Sequence, residues 1–124
     1  MSIPSSAEVF ERTRALIPTL LARAPEGERL RRLPDKTIAD MQAAGVFRVL
    51  QPRRWGGYEM DIHTYFDVQM ALGEGDMSTA WVYGVVGVHP WLIALFDDRA
   101  AKDIWGKDDG ALTCSSLMPV GVAT

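Results

Sequence analysis

The chain has 124 residues, and its 48% hydrophobic content suits one globular domain with a modest core. Its 16 acidic and 13 basic residues leave a formal charge of −3, which removes the electrostatic case for nucleic-acid binding. A single cysteine, Cys114, excludes an intrachain disulfide framework and a cysteine-rich metal site. The opening MSIPSSAEVFERTR carries Glu8 and Glu11 and lacks an apolar signal core, so the expected compartment is the cytoplasm.

Ser5 and Glu8 stand at capping-box spacing, and Val9, Thr13, Leu16 and Leu20 follow at helical intervals. This pattern predicts a first helix from about Ser6 to Arg23, bent at Pro18, with a turn at Pro25, Glu26 and Gly27. A second helical region places Ile38, Met41 and Ala44 on one stripe and stops at Gly45. The segment VFRVLQPRRWGGYEMD has too many turn signals for a long helix, and Pro52 with Gly56 and Gly57 is expected to form a loop that presents Trp55. Asp61 can cap a third helix with an apolar stripe of Ile62, Tyr65, Phe66, Gln69 and Met70, ended by Gly73 and Gly75. The clusters Arg29, Arg31, Arg32 and Arg53, Arg54 read as solvated surface.

Met77 to Phe96 is a run of 20 residues without a formal charge, long enough to raise a membrane span. Ser78, Thr79, Tyr83, His89 and Pro90 argue against lipid, and the flanks Glu74, Asp76, Asp97, Asp98 and Arg99 carry no basic cluster to set an orientation. A long helix capped by Asp76 or Ser78 and buried on nearly all sides is expected instead, with Pro90 kinking or dividing it. A short amphipathic helix containing Ala101, Ile104 and Trp105 follows, capped by Asp97 or Asp98 and closed by Gly106. After the Asp108-Asp109-Gly110 turn, ALTCSSL from Ala111 reads as a strand. The expected architecture is therefore an all-α N-terminal domain over residues 1–110, followed at 111–124 by the opening of a β domain whose strand lacks a partner for its ladder groups.

Trp81 and His89 are separated by about 12 Å of helical rise, so both can border one large planar ligand without touching each other. Val82 and Val85 give His89 apolar neighbours that favour the neutral imidazole, which can accept a proton from a phenolic hydroxyl. A core histidine bonded to a carbonyl is the competing assignment. In the run from Thr113 to Gly121, strand alternation prevents Ser115 and Ser116 from facing the same site, and Cys114 has no adjacent base or cation to make it a nucleophile. His63 and His89, 26 residues apart, offer no metal-ligand spacing, so no metal is expected.

The segments LQPRRWGGYEMD, GEGDMSTAWVYGVVGVHPW, IWG and ALTCSSLMPVG resemble, in order and spacing, the N-terminal half of two-component flavin-dependent monooxygenases. The resemblance is to the phenol ortho-hydroxylase type, with the acyl-CoA dehydrogenase-like fold. It covers nearly the whole chain and is most specific in Trp81, seven intervening residues and His89. It implies an N-terminal helical domain and the start of a central β domain, with a C-terminal helical bundle and homotetrameric assembly in the complete enzyme. His89 then corresponds to the histidine that approaches the substrate hydroxyl, and Trp81 to the tryptophan beside flavin and substrate. Ser115, or Ser116 one position on, corresponds to a serine near the same hydroxyl, while Cys114, Ser115, Ser116, Leu117 and Met118 run beside the isoalloxazine. The implied cofactor is reduced flavin, FADH2 or FMNH2, with molecular oxygen as cosubstrate. The implied partners are a small aromatic substrate and a separate NAD(P)H-dependent flavin reductase, with no nucleic acid and no membrane. An acyl-CoA dehydrogenase and a noncatalytic helical interaction module are the alternatives. The first is weakened because the usual T-E-P pattern is replaced by Thr113-Cys114-Ser115-Ser116-Leu117-Met118-Pro119.

Overall fold

The computed structural model describes residues 2–116, 118 and 120–122, and its regular structure is entirely helical among them. Helix α1 spans Ser6–Leu30, α2 Asp35–Ala44, α3 Ile62–Gly75, α4 Met77–Ala94 and α5 Asp98–Trp105. Short 3-10 turns at Val46–Arg48 and Arg53–Trp55 lie between α2 and α3. No helix among the described residues is long and apolar enough to cross a membrane.

The helix starts follow the local chemistry. Ser5 Oγ accepts from the Glu8 amide at 3.2 Å while Glu8 accepts from the Ser5 amide at 2.7 Å, completing the capping box. Asp61, Asp76 and Asp97 each accept an amide hydrogen bond at the start of α3, α4 and α5. Gly45, with φ of 80°, takes the left-handed conformation that ends α2.

Helix α3 packs against both α1 and α4, and the core gathers Val9 and Leu20, Met41, Val46 and Val49, Val68 and Leu72, and Tyr83. At the α1–α3 crossing Gly75 permits a close approach, since a Cβ there would stand 2.9 Å from that of Leu20. Tyr65 and Tyr83 stack with ring centroids 5.3 Å apart, and their hydroxyls donate to the Gly84 and Val46 carbonyls at 2.6 and 3.3 Å. Burial pushes both phenols upward in pKa, Tyr83 strongly. A second apolar cluster unites Ile93 of α4 with Ala101 and Trp105 of α5, and with Trp55.

Several sequence expectations are corrected. Helix α1 does not stop at Arg23 but runs on through Pro25 and Gly27 to Leu30, because the proline forfeits only one backbone bond while the packed helix and the good helix formers around it carry it past. It ends at Arg31, which adopts φ of 56°. In α3 the buried face is Thr64, Tyr65, Val68, Ala71, Leu72 and Gly75, whereas Ile62, Phe66 and Met70 are exposed. Of the expected stripe only Tyr65 is on the buried face, and Gln69 is half-buried. Trp55 is packed against the second cluster rather than presented by its loop. Pro90 neither ends nor divides α4, and only one face of α4 is covered by the described residues, with Met77, Trp81, Val85, Trp91 and Leu92 left exposed.

The expected strand from Ala111 is absent among the described residues. Residues 111–116 have no regular structure, since no neighbouring strand is there to take the ladder bonds.

Candidate functional site

The segment after α5 is tied to the helical body by a set of polar contacts. Arg48 Nη2 donates to Asp109 Oδ1 at 2.9 Å and its Nη1 to the Gly56 carbonyl at 2.5 Å. Gln51 Nε2 donates to the carbonyls of Asp109 at 2.8 Å and Trp55 at 2.5 Å. Gln42 Nε2 reaches the Gly110 carbonyl at 3.4 Å, and the Trp105 indole N–H donates to the Ala111 carbonyl at 3.2 Å. The Arg48 guanidinium holds the Asp109 carboxyl below the usual carboxylate range, against the opposing effect of desolvation. From this anchorage the chain passes back towards α4.

There it brings Ser115 to His89. The Ser115 hydroxyl lies 2.8 Å from His89 Nε2, and His89 Nδ1 lies 2.5 Å from the Val85 carbonyl one turn earlier. A carbonyl only accepts, so Nδ1 carries a hydrogen, and in that tautomer of the uncharged ring the Nε2 lone pair faces the Ser115 O–H. The serine oxygen keeps lone pairs of its own, which can accept from a third hydroxyl. The pair can therefore relay a proton from an incoming O–H through Ser115 to His89. His89 is half-buried, bonded to a carbonyl of its own helix, and faces a hydroxyl of this chain.

The serines are sorted by geometry. Ser115 Oγ meets His89, whereas Ser116 Oγ accepts from the Met118 amide at 3.2 Å within its own turn. Cys114 is an exposed free thiol, Met118 is exposed, and Leu117 lies outside the described residues. The amides of residues 112–116 donate to no backbone group among the described residues. Trp81 is 73% exposed and lines a cavity between α1, α2 and α4 whose walls do not include His89. His63 is exposed beside Asp61, and no metal-ligating cluster exists among the described residues.

The anchoring residues Arg48, Gln51 and Asp109 were not singled out by the sequence. The signals were a glutamine and an arginine inside the otherwise apolar stretch Val46 to Pro52 and, for Asp109, its place in the Asp108-Asp109-Gly110 turn.

Residues 6–107 match the acyl-CoA dehydrogenase N-terminal domain family. The chain belongs to that family. The flavin-dependent monooxygenase oxygenase subunit HsaA of Rhodococcus jostii (strain RHA1) is 42% identical over 112 residues, covering 90% of this chain and 29% of that protein. The FADH(2)-dependent resorcinol hydroxylase oxygenase component of Rhizobium sp. (strain MTP-10005) is 34% identical over 100 residues, covering 81% of this chain and 24% of that one. The crystal structure of 3-HSA hydroxylase from Rhodococcus sp. RHA1 superposes with a TM-score of 0.83 at 43% identity, covering 85% of this chain and 27% of that chain. The chain thus spans less than a third of the length of these relatives.

Proposed function

We propose that this chain belongs to the oxygenase component of a two-component monooxygenase that hydroxylates a phenolic ring with reduced flavin and molecular oxygen. The observation that carries the reading is the 2.8 Å contact between Ser115 and His89 Nε2, a proton relay open to an incoming hydroxyl. The names of the HsaA subunit and the resorcinol hydroxylase component support it. On this reading residues 1–110 are the N-terminal helical domain and 111–124 open the central β domain. A separate NAD(P)H-dependent flavin reductase supplies the cofactor, and the complete oxygenase is a cytoplasmic homotetramer.

The residues present fit a flavin. Cys114, Ser115 and Ser116 are exposed on a segment whose amides have no backbone partner among the described residues, which suits the polar edge of a heterocycle, and the exposed Trp81 indole suits a planar face. Leu117 and Met118 complete the assigned cofactor segment. Reduced flavin, when bound, supplies the two electrons by which one atom of dioxygen enters the ring and the other leaves as water. The chain's own residues orient the phenol and hold its proton. Ser115 accepts the substrate O–H while donating to Nε2, and His89, fixed by Val85, takes up the positive charge.

The test uses the complete oxygenase with a flavin reductase, NADH and a phenol. His89→Ala should lower hydroxylated product about 100-fold, the range of a lost general base, while reduced-flavin affinity changes less than about twofold. Oxygen consumption should persist and end as hydrogen peroxide, because a misaligned ring no longer captures the oxygen. His89→Asn retains polarity, and Val85→Ala controls for packing. Normal coupling in a folded His89→Ala enzyme would remove the catalytic role, and reduction of the bound flavin by an acyl-CoA would replace the reading with a dehydrogenase.

A further inference from the structure

A small cavity of about 120 Å³ lies under the segment that leads to Ser115, and its walls include Val86 and Pro90 of α4, Phe47, Arg48 and Gln51, and Leu112. Pro90 directly follows His89, while Arg48 and Gln51 are the residues that fasten the segment at Asp109. The cavity therefore stands between the turn of α4 that carries the histidine and the anchorage of the serine.

The polar residues on these walls have bonding capacity to spare. Pro90 has no amide hydrogen to give the Val86 carbonyl four residues earlier, and its ring presses on that carbonyl. Gln51 is 3% exposed and spends its amide hydrogens on the Trp55 and Asp109 carbonyls, so its Oε1 accepts from nothing among the described residues. Arg48 gives one N–H to Gly56 and one to Asp109 and keeps others. A buried acceptor without a partner costs stability, and a water can donate to two acceptors while accepting from an N–H. The volume suffices, since one water takes up about 30 Å³.

We propose that Pro90 is a positioning residue for the His89–Ser115 pair: the Val86 carbonyl that it leaves without a donor takes a water shared with Gln51 and Arg48, and this water holds the histidine's turn of α4 to the anchorage of the serine. Pro90→Ala would give that carbonyl an amide of its own helix, which strengthens the helix and severs the tie. The consequence for turnover rests on the monooxygenase reading, whereas the water and the geometry of the pair do not.

The test begins with nuclear magnetic resonance of the isotopically labelled 124-residue chain. A long-lived water should give cross-peaks to the ring protons of Pro90 and Phe47, both buried on the cavity wall, and the Nε2 nitrogen shift of His89 should report an accepted hydrogen bond. Pro90→Ala should remove the water cross-peaks at Phe47, move the Nε2 shift to that of an imidazole nitrogen without a donor, and raise the melting midpoint, which separates the loss from a folding defect. Pro25→Ala, at the exposed proline of α1, should raise the midpoint too and leave the water and the shift unchanged. In the complete oxygenase with a flavin reductase, NADH and a phenol, Pro90→Ala should lower the ratio of hydroxylated product to peroxide at least about tenfold, as small misplacements of reacting groups do, with reduced-flavin affinity unchanged. A wild-type chain without the water cross-peaks, or a Pro90→Ala protein that keeps the wild-type Phe47 cross-peaks, Nε2 shift or product ratio, would overturn the proposal. A wild-type oxygenase that forms no hydroxylated product would remove the monooxygenase reading instead, and the cross-peaks and nitrogen shift would still decide the role of Pro90.

Discussion

Arg48 and Asp109, 61 positions apart in the chain, meet at 2.9 Å, and this pair fastens the segment that carries Ser115 to the helical body. Gln51 adds a second fastening at the Asp109 carbonyl, so the anchorage combines an ion pair with a neutral hydrogen bond.

The ion pair makes the anchorage sensitive to acid. Asp109 titrates below its ordinary value of 3.8 in the folded chain, chiefly through the Arg48 hydrogen bond. Its stabilising contribution is therefore fully present above that value and is lost as pH falls below it through the depressed folded value. Pepsin cleavage at 111–116 should quicken over that window, and Asp109→Asn should show faster cleavage by a neutral protease already at pH 7. Because the pair is half-exposed, the cost to global stability should be no more than about 1 kcal/mol. Cleavage at 111–116 that is equally fast in wild type and Asp109→Asn would place the anchorage in Gln51 and Trp105 alone.

The two serines should separate cleanly in the complete oxygenase. Ser115→Ala removes the hydroxyl facing Nε2 and should lower product formation at least about tenfold while raising peroxide. Ser116→Ala removes only a local bond to the Met118 amide and should cost less than about threefold. Product and peroxide measured in parallel decide the matter. Equal losses in both variants would mean that the serines act through the shape of the segment rather than through a proton relay.

Gly75→Ala sets helix propensity against packing. Alanine gains up to about 1 kcal/mol in a helix interior and less at the final position that Gly75 occupies. The added methyl would stand 2.9 Å from Leu20 Cβ and 3.1 Å from the Ile17 carbonyl, both on α1, and overpacking of this kind costs about 1–3 kcal/mol. Packing should win, with a net loss of about 1–2 kcal/mol by urea denaturation. A stabilised variant would show that α1 and α3 can separate at no cost.

Much of the helical frame was legible because its signals are local. The Ser5–Glu8 box and the aspartates at 61, 76 and 97 need only their own first turn to act, and each begins a helix as its spacing predicts. The errors arose where a distant surface decides. Pro25 and Gly27 carry the local mark of a turn, yet α1 passes through them. Phe66 and Met70 are as apolar as Val68 and Leu72, and only the directions in which α1 and α4 approach α3 determine which pair is covered. The extended segment failed as a strand for the same reason, since a ladder needs a second strand and none lies among the described residues.

By itself the sequence determined where α1, α3, α4 and α5 start and, through the resemblance of several segments taken in order, the family to which the chain belongs. Tertiary structure alone decided which serine meets the histidine, which nitrogen of that ring holds the hydrogen, and that Trp81 lines a cavity apart from both. Capping and periodicity act over one or two turns and can be read from neighbouring residues. The meeting of Ser115 with His89 depends on contacts at Arg48, Gln51 and Asp109 that no local pattern encodes, because they join parts of the chain about 60 residues apart.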